Sequence, residues 1–345
     1  CQKKNGTNIR EVYQMRKMVV LVVISMLVAF GLSGCHSQEQ SETPDLTKVT
    51  VVLDWFPNTN HTGLYVARDL GYYEKEGLAM EIIQPSEGGA SQLIAAGQGD
   101  FGISYQEEVT VARSQNLPVV AIAAVIQHNT SGFASPVSKD IKTPRDFEGK
   151  TYGGWGSPAE EATIKAVMDQ EEADFSQVNI LNIGSSDFFT SIERDVDFAM
   201  IYWGWTGIEA QLRNVDLNFI KMRDKHPALD FYTPVIIASE DKIKENPQLI
   251  EKFMQATARG YQYAIDNPEE AAEILLNTVP ELDPELVTAS QVYLAGEYQA
   301  DAPRWGEMKS SVWKAYADFM FAHQLIEQNI DVEKAFTNQF LPEQE

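Results

Sequence analysis

Four of the six tryptophans in this 345-residue chain fall in three short stretches: "DWFPNTNH" (Asp54–His61), "GGWGSP" (Gly153–Pro158) and "IYWGWTGIE" (Ile201–Glu209). A fourth stretch, Ser104, Tyr105, Gln106 and Glu107, adds a phenol and an amide, and "PSEGGA" (Pro85–Ala90) adds Glu87. Indole and phenol rings can sandwich a flat π-system over a large area at small entropic cost. The charged groups in or beside these stretches are carboxylates: Glu87, Glu107, Glu108, Glu160, Glu161 and Glu209. Lys and Arg are absent from them. A phosphate or sulfonate would call for guanidinium or ammonium groups, unless helix-start amides took their place. A carboxylate can accept from an exocyclic amine and from a protonated ring nitrogen together. The pattern therefore fits a neutral or weakly basic heterocycle with amino donors. Each residue taken alone also has a plain structural use. A tryptophan can pack between lobes, "GWG" can be a tight turn, a glutamate can open a helix, and His61 can bond a helix start. No Walker loop, G-x-S-x-G or H-E-x-x-H occurs, and the five histidines lack metal-ligand spacing.

The elements that must position these residues alternate. "KVTVVLDW", "LAMEIIQ", "DFGIS" and "VVAIAAVIQ" read as strands, with helices over His61–Leu70 and Gly89–Gly99 between them. The pattern then restarts. A capped turn and strand ("TPRDFEGKTYGGWG") precede the helix "PAEEATIKAVMDQ", the strand "VNILNIG", the helix "SDFFTSIERD" and the strand "VDFAMIYWGW". "GDFGISY" and "VDFAMIY" are alike, which predicts two α/β lobes of one design. "FYTPVIIAS" (Phe231–Ser239) carries the chain back to the first lobe. Helices follow, two of them opened by Asn246-Pro247 and Asn267-Pro268 as cap and first helical residue. The expected division is lobe I over 49–130 and 234–345 and lobe II over 131–233. Ligands of open α/β sheets bind beyond the carboxyl ends of the strands, where the aromatic stretches lie.

The N-terminal part reads as an address. "MRKM" (Met15–Met18) is a basic start, Val19–Gly31 an apolar run of signal-peptide length, and "LSGC" (Leu32–Cys35) resembles a bacterial lipobox whose cysteine is acylated. Residues 15–34 are thus expected to be a lipoprotein signal peptide, 35–48 a polar tether, and 1–14 upstream sequence ahead of the true start. This predicts an extracytoplasmic protein held to the membrane only by a lipid on Cys35. Cys1 and Cys35 are the only cysteines, so no disulfide framework or zinc site is expected. The net charge is −23 although residues 1–34 are basic, so the body is more acidic still. Such a body repels nucleic acid and anionic headgroups.

"VVLDWFPNTNHTGLYVARDLGYYEKEGL", "EGGASQLIAAGQGDFGISY" and "VDFAMIYWGWTGIEAQ" together resemble the type II periplasmic-binding-protein fold. More narrowly, they resemble the family that holds fungal thiamin-pyrimidine precursor synthases and bacterial ABC-transporter binding proteins. The resemblance covers nearly all the chain from Lys48. It implies a monomeric lipoprotein that captures a thiamin pyrimidine precursor, N-formyl-4-amino-5-aminomethyl-2-methylpyrimidine, and delivers it to a permease and ATPase. No cofactor or metal is implied. By the resemblance, Trp55 and Tyr202 stack on the ligand and Glu209 pairs with its aminopyrimidine edge. Asn58, Tyr105 and Trp155 line the cleft. Hinge crossings are expected near 128–133 and 231–235. The synthases use a lysine and a histidine beyond strand three and a cysteine-rich iron motif. Here Ser104 and Glu108 stand at those positions and no cysteine cluster exists. A flavin or another aromatic heterocycle is the alternative ligand.

Overall fold

The computed structural model describes residues 46–84, 89–184 and 186–343. Cys35, the signal-like segment and Glu87 lie outside the described residues. Two five-stranded mixed sheets carry the fold. The first has the order β2-β1-β3-β10-β4, from β1 (Thr47–Val52), β2 (Leu78–Ile83), β3 (Phe101–Ser104), β4 (Val119–Ala124) and β10 (Val235–Ser239). The second has the order β7-β6-β8-β5-β9, from β5 (Ser131–Pro136), β6 (Thr151–Gly154), β7 (Asn179–Asn182), β8 (Phe198–Tyr202) and β9 (Leu217–Lys221). The chain leaves the first sheet after β4, builds the second, and returns through β10. The expected two-lobe α/β architecture stands. The sheets are not wholly parallel, however: β10 runs antiparallel to β3 and β4, and β5 antiparallel to β8 and β9. A strand that returns from the other lobe arrives without a helical crossover, so it is free to enter in the opposite sense.

The repeated Asp-Phe explains itself in three dimensions. In the first sheet, Thr50 N donates to Asp100 Oδ2 at 2.8 Å, and Lys242 Nζ meets Asp100 Oδ1 at 2.6 Å. In the second, Thr151 N donates to Asp197 Oδ2 at 2.9 Å, and Lys139 Nζ meets Asp197 Oδ1 at 2.7 Å. Each aspartate thus clamps the neighbouring parallel strand and takes one lysine. The following phenylalanine is the core anchor of its lobe. Phe101 stacks on Phe253 at 3.7 Å between ring centroids, and Phe198 on Phe147 at 4.2 Å.

Other features depart from the sequence reading. β1 begins at Thr47, two residues inside the stretch read as tether. Pro247 and Pro268 do open helices (Pro247–Asp266 and Pro268–Thr278), but neither Asn246 nor Asn267 caps with its side chain. The strand read over Val196–Trp205 ends at Tyr202, because "WGWTG" (Trp203–Gly207) winds into a π-helical turn. That turn touches lobe I. Ser290 Oγ donates to Gly204 O, and Trp205 packs with Tyr65, Leu275 and Val287. The helix Ser310–Ala322 serves both lobes: Trp313 belongs to the first lobe's core, Tyr316, Phe319 and Met320 to the second's. The lobes are therefore in contact in this conformation. Among the described residues, no helix is long and apolar enough to cross a membrane.

Asp100→Ala and Asp197→Ala should each lower stability by about 1–3 kcal/mol, the usual cost of an orphaned buried donor. The two losses should add, since the sites share no partner. Urea unfolding of the single and double variants checks this; a double variant no worse than either single would contradict independent clamps.

Candidate functional site

Asp54 organises the loop after β1. Its side chain is only 5% exposed. His61 Nε2 donates to Asp54 Oδ1 at 2.7 Å, and the Tyr105 hydroxyl donates to Oδ2 at 2.5 Å. Asn58 N donates to His61 Nδ1 at 3.2 Å, which places the ring proton on Nε2, facing Asp54. Burial acts to raise the Asp54 carboxyl, but the His61 ring and the Tyr105 hydroxyl outweigh it and hold it below its ordinary value. Asn58 spends its amide on the loop, accepting from Asn60 N at 2.9 Å and donating to Phe56 O at 3.0 Å. From beneath, Tyr261 donates to Asn60 O at 2.7 Å and Tyr298 to Thr59 O at 2.6 Å. The junction is thus pinned on every side. At its tip Trp55 is 55% exposed and Phe56 65%.

Lobe II repeats this device with a glutamate. Glu160 is buried and accepts from the Tyr152 hydroxyl at 2.8 Å, Trp155 N at 2.9 Å and Ser157 N at 3.0 Å. A Cβ on Gly154 would sit 2.8 Å from Glu160 Oε1, and Gly156 takes φ +83°, so the glycines around Trp155 are needed to let the carboxylate in and turn the chain. Trp155, held by its backbone, is 50% exposed. Each lobe therefore offers one indole on a loop fixed by a buried carboxylate.

Tyr105 and Tyr202 close the repeated motif in each lobe, directly after β3 and at the end of β8. Tyr202 bears on Tyr105, and Asp54, the partner of Tyr105, bears on Tyr202. Burial, then Asp54, then Tyr202 push the Tyr105 phenol far up. More than a third of Tyr202 is open, yet its phenol is pushed up to about 12, by burial first, with Thr233 opposing and Glu107, Asp54 and Glu108 adding. The open ring and the shielded hydroxyl are compatible if the ring lies along the cleft wall with its oxygen turned inward.

Glu107 and Glu108 open the helix Gln106–Ser114 beneath this pair. Glu107 is pushed up to about 7, by burial first, then by Glu108 and by Glu160 of the other lobe. Glu108 is raised by burial, with the hydrogen bond from Ser104 opposing and Asp54 adding. Ser104 Oγ donates to Glu108 Oε2 at 2.7 Å and lies 2.9 Å from Ser91 Oγ. Ser91, Gln92, Glu107, Glu108 and Val111 line a cavity of about 130 Å³. A larger depression of about 450 Å³ on lobe II, around Asn182 and Arg194, shares no residue with this group. No Lys or Arg acts on Glu107, Glu108, Tyr105 or Tyr202 among the described residues. Nor do the described residues include a cluster of His, Cys, Asp or Glu able to hold a metal.

Of the residues singled out from sequence, Trp55 and Trp155 carry exposed rings, Tyr202 is partly open, and Tyr105 donates to Asp54. Asn58 is a loop fastener. Glu209 is placed differently from expectation: its carboxylate pairs with Arg213, one turn on, whose guanidinium lies 4.2 Å over the Phe189 ring. Trp203 packs on Phe219 and fills the space a Cβ on Gly207 would need, and Trp205 packs on lobe I. Sequence reasoning missed Asp54 as a hub and Tyr316, whose phenol is raised by burial, Glu107 and Tyr202. Asp54 carried a signal, a carboxylate seven residues before a histidine at a strand end. Tyr316 carried none.

Comparison with known proteins bears on this arrangement. A family model described as NMT1/THI5 like matches residues 58–271. The formylaminopyrimidine-binding protein of Halalkalibacterium halodurans is 28% identical over 92% of this chain and 98% of its own. The riboflavin-binding protein RibY of Chloroflexus aurantiacus is 27% identical over 87% of each chain. A 4-amino-5-hydroxymethyl-2-methylpyrimidine phosphate synthase of Legionella pneumophila is 24% identical over 86% of this chain and 93% of its own. The alkanesulfonate-binding protein SsuA of Xanthomonas axonopodis superposes with a TM-score of 0.65 at 14% identity, over 85% of this chain and 99% of its own. The fold is that of the periplasmic binding proteins.

Tyr105→Phe should remove one of the two donors to Asp54 and cost about 1–3 kcal/mol. The stability that a lowered carboxyl contributes is present above its ordinary value and is lost as pH falls through the folded one. The variant should therefore lose stability at a higher pH than the parent. Urea melts in a series from neutral to acid measure this; an unmoved acid limb would remove Tyr105 from the hub.

Proposed function

The chain belongs to the NMT1/THI5-like family, and we propose that it is the substrate-binding protein of an ABC importer for a thiamin pyrimidine precursor, N-formyl-4-amino-5-aminomethyl-2-methylpyrimidine. In this reading it is an extracytoplasmic monomer, anchored through a lipid on Cys35, that delivers its ligand to a permease and ATPase. The observation that carries the proposal is the pair of exposed indoles, Trp55 and Trp155, each on a loop fixed by a buried carboxylate. Holding large rings in water on immobilised loops forfeits apolar burial that folding alone would take. A flat ligand recovers it. Relatedness to a formylaminopyrimidine-binding protein over nearly the whole chain supports the same ligand.

The residues have distinct parts in this scheme. Trp55 stacks on the pyrimidine, with Tyr202 opposite and Trp155 at the rim. Glu107 and Glu108 accept from the amino groups, the role the sequence had pointed to Glu209 for. Ligand bound to one lobe selects the closed form, in which the second lobe completes the site. The deficit of basic groups disfavours an anion, even though sulfonate-binding proteins share the fold. A flavin is the second reading, supported by the riboflavin-binding relative and by the same exposed rings. Turnover has less support. At the positions where the synthases place lysine and histidine, Ser104 and Glu108 are hydrogen-bonded to one another.

Three outcomes are expected. In a thermal-shift screen of pyrimidines, thiamin, riboflavin, nitrate and taurine, the formylaminopyrimidine should give the largest stabilisation. A larger shift with riboflavin would move the assignment to the flavin. Trp55→Ala should weaken pyrimidine binding by about 2 kcal/mol or more, as loss of a stacking anchor does; parental affinity in calorimetry would take Trp55 out of the site. Glu107 is pushed up to about 7, so it gains acceptor strength as pH rises through neutrality. Affinity should rise over that interval and the rise should vanish in Glu107→Gln. An unchanged profile in the variant would assign the titration elsewhere.

A further inference from the structure

The two crossings between the sheets are joined through one histidine. His128 lies on the path from β4 to β5, and Asp230 on the path from β9 to β10. His128 Nδ1 is 2.7 Å from Asp230 Oδ2, and Nε2 is 2.8 Å from Asp301 Oδ1. Asp301 belongs to neither crossing; it sits in lobe I, between the helices Pro284–Ala295 and Ser310–Ala322. A carboxylate only accepts, and a neutral imidazole has one N–H. Two carboxylates at opposite ring nitrogens therefore require both N–H groups, and so the imidazolium. The crossings are also stitched directly. Asn129 N donates to Asp230 Oδ1 at 3.1 Å, and Asn129 Nδ2 donates to Leu229 O at 2.9 Å.

We propose that His128 is a charge-operated latch: as the imidazolium it ties both crossings to Asp301 and holds the lobes in the contacting arrangement, and loss of its proton releases Asp301 and lets them part. Closure requires torsion changes in the crossings and nowhere else in the sheets. A group bonded to both crossings and to one lobe is placed to resist that torsion. The contacting arrangement is the one in which Ser290 reaches Gly204 and Glu160 bears on Glu107.

The charges facing the ring come from every surrounding element. Asp230 comes from the second crossing. Asp301 comes from the loop, with Lys309 Nζ 3.7 Å from its other oxygen. Nearby are Glu307, paired with Arg304, and Glu297, paired with Arg223. Tyr232 is pushed up to about 12, by burial first, and stays neutral through mild alkali. His128 is raised to about 9, by the Asp230 hydrogen bond first, with burial opposing and Asp301 adding. A raised histidine contributes its stabilisation in full below its ordinary value and loses it as pH rises through the folded one. The latch is therefore set at neutral pH and released in alkali.

The test needs no ligand, so it stands or falls apart from the pyrimidine assignment. The chain has five histidines, few enough to follow by NMR titration. One ring should titrate near 9 and its signal should disappear in His128→Gln. Asp301→Asn, which removes one carboxylate charge and leaves the fold's core untouched, should move that midpoint down towards the ordinary imidazole value of about 6.5. Hydrogen exchange at neutral pH should be faster in the crossings of His128→Gln than of the parent. A His128 midpoint near its ordinary value, or equal exchange in the crossings, would overturn the latch.

Discussion

Everything at the cleft depends on two carboxylates that the fold has taken out of water. Asp54 and Glu160 are buried, and burying a charge is tolerable only if its lone pairs are met by donors. The donors in each case are the loop's own groups and a tyrosine: His61 and Tyr105 for Asp54, and Trp155 N, Ser157 N and Tyr152 for Glu160. Satisfying the charge therefore fixes the loop. An indole on a mobile loop would lose ordering entropy on binding; these two have lost it on folding. The cost was met once, in the core of each lobe; in the proposed reading the rings are thereby pre-set for a ligand.

The same constraint shapes the chemistry of the cleft. Acids without a lysine or arginine partner accumulate around the two tyrosines: Glu108 and Glu160 raise Glu107, and Asp54 raises Tyr105. A ligand that brings amino donors or a protonated ring nitrogen relieves them directly, whereas an oxyanion would add to the repulsion. Glu209, by contrast, is paired with Arg213 on its own helix.

The lobes were legible in the sequence because their signal is repeated. "GDFGISY" and "VDFAMIY" encode the same clamp, the same core anchor and the same cleft tyrosine, so finding one located the other. The antiparallel entry of β10 was not legible. Its residues, Val235–Ser239, are a short apolar run with no directional cue, and direction is decided by the route of the returning chain. The end of β8 was misjudged because Trp203–Gly207 reads as strand by composition; its π-helical turn is imposed by contact with Ser290 and Leu294 of the other lobe. One of the four clustered tryptophans, Trp205, is spent on that contact, and Trp203 packs within its own lobe on Phe219. Tryptophan content pointed to the right region, but only burial separates Trp203 and Trp205, which pack, from Trp55 and Trp155, which do not.

That separation bears on how closure works. With the lobes touching through the "WGWTG" turn, Trp55 and Trp155 still keep about half of their surface in water. Protein–protein contact thus brings the lobes together without covering the rings. The hydrophobic term at the cleft is left over for a third body, and it is large enough to matter, since a buried aromatic side chain stabilises by roughly 1.5–3 kcal/mol. A ligand can shift an equilibrium only by its differential affinity for the two forms. In the proposed reading the differential is built from both lobes, Trp55 and Tyr202 stacking on the ring with Trp155 at the rim. A molecule that reaches only one lobe would gain only part of it, so selectivity would follow from span as well as from chemistry.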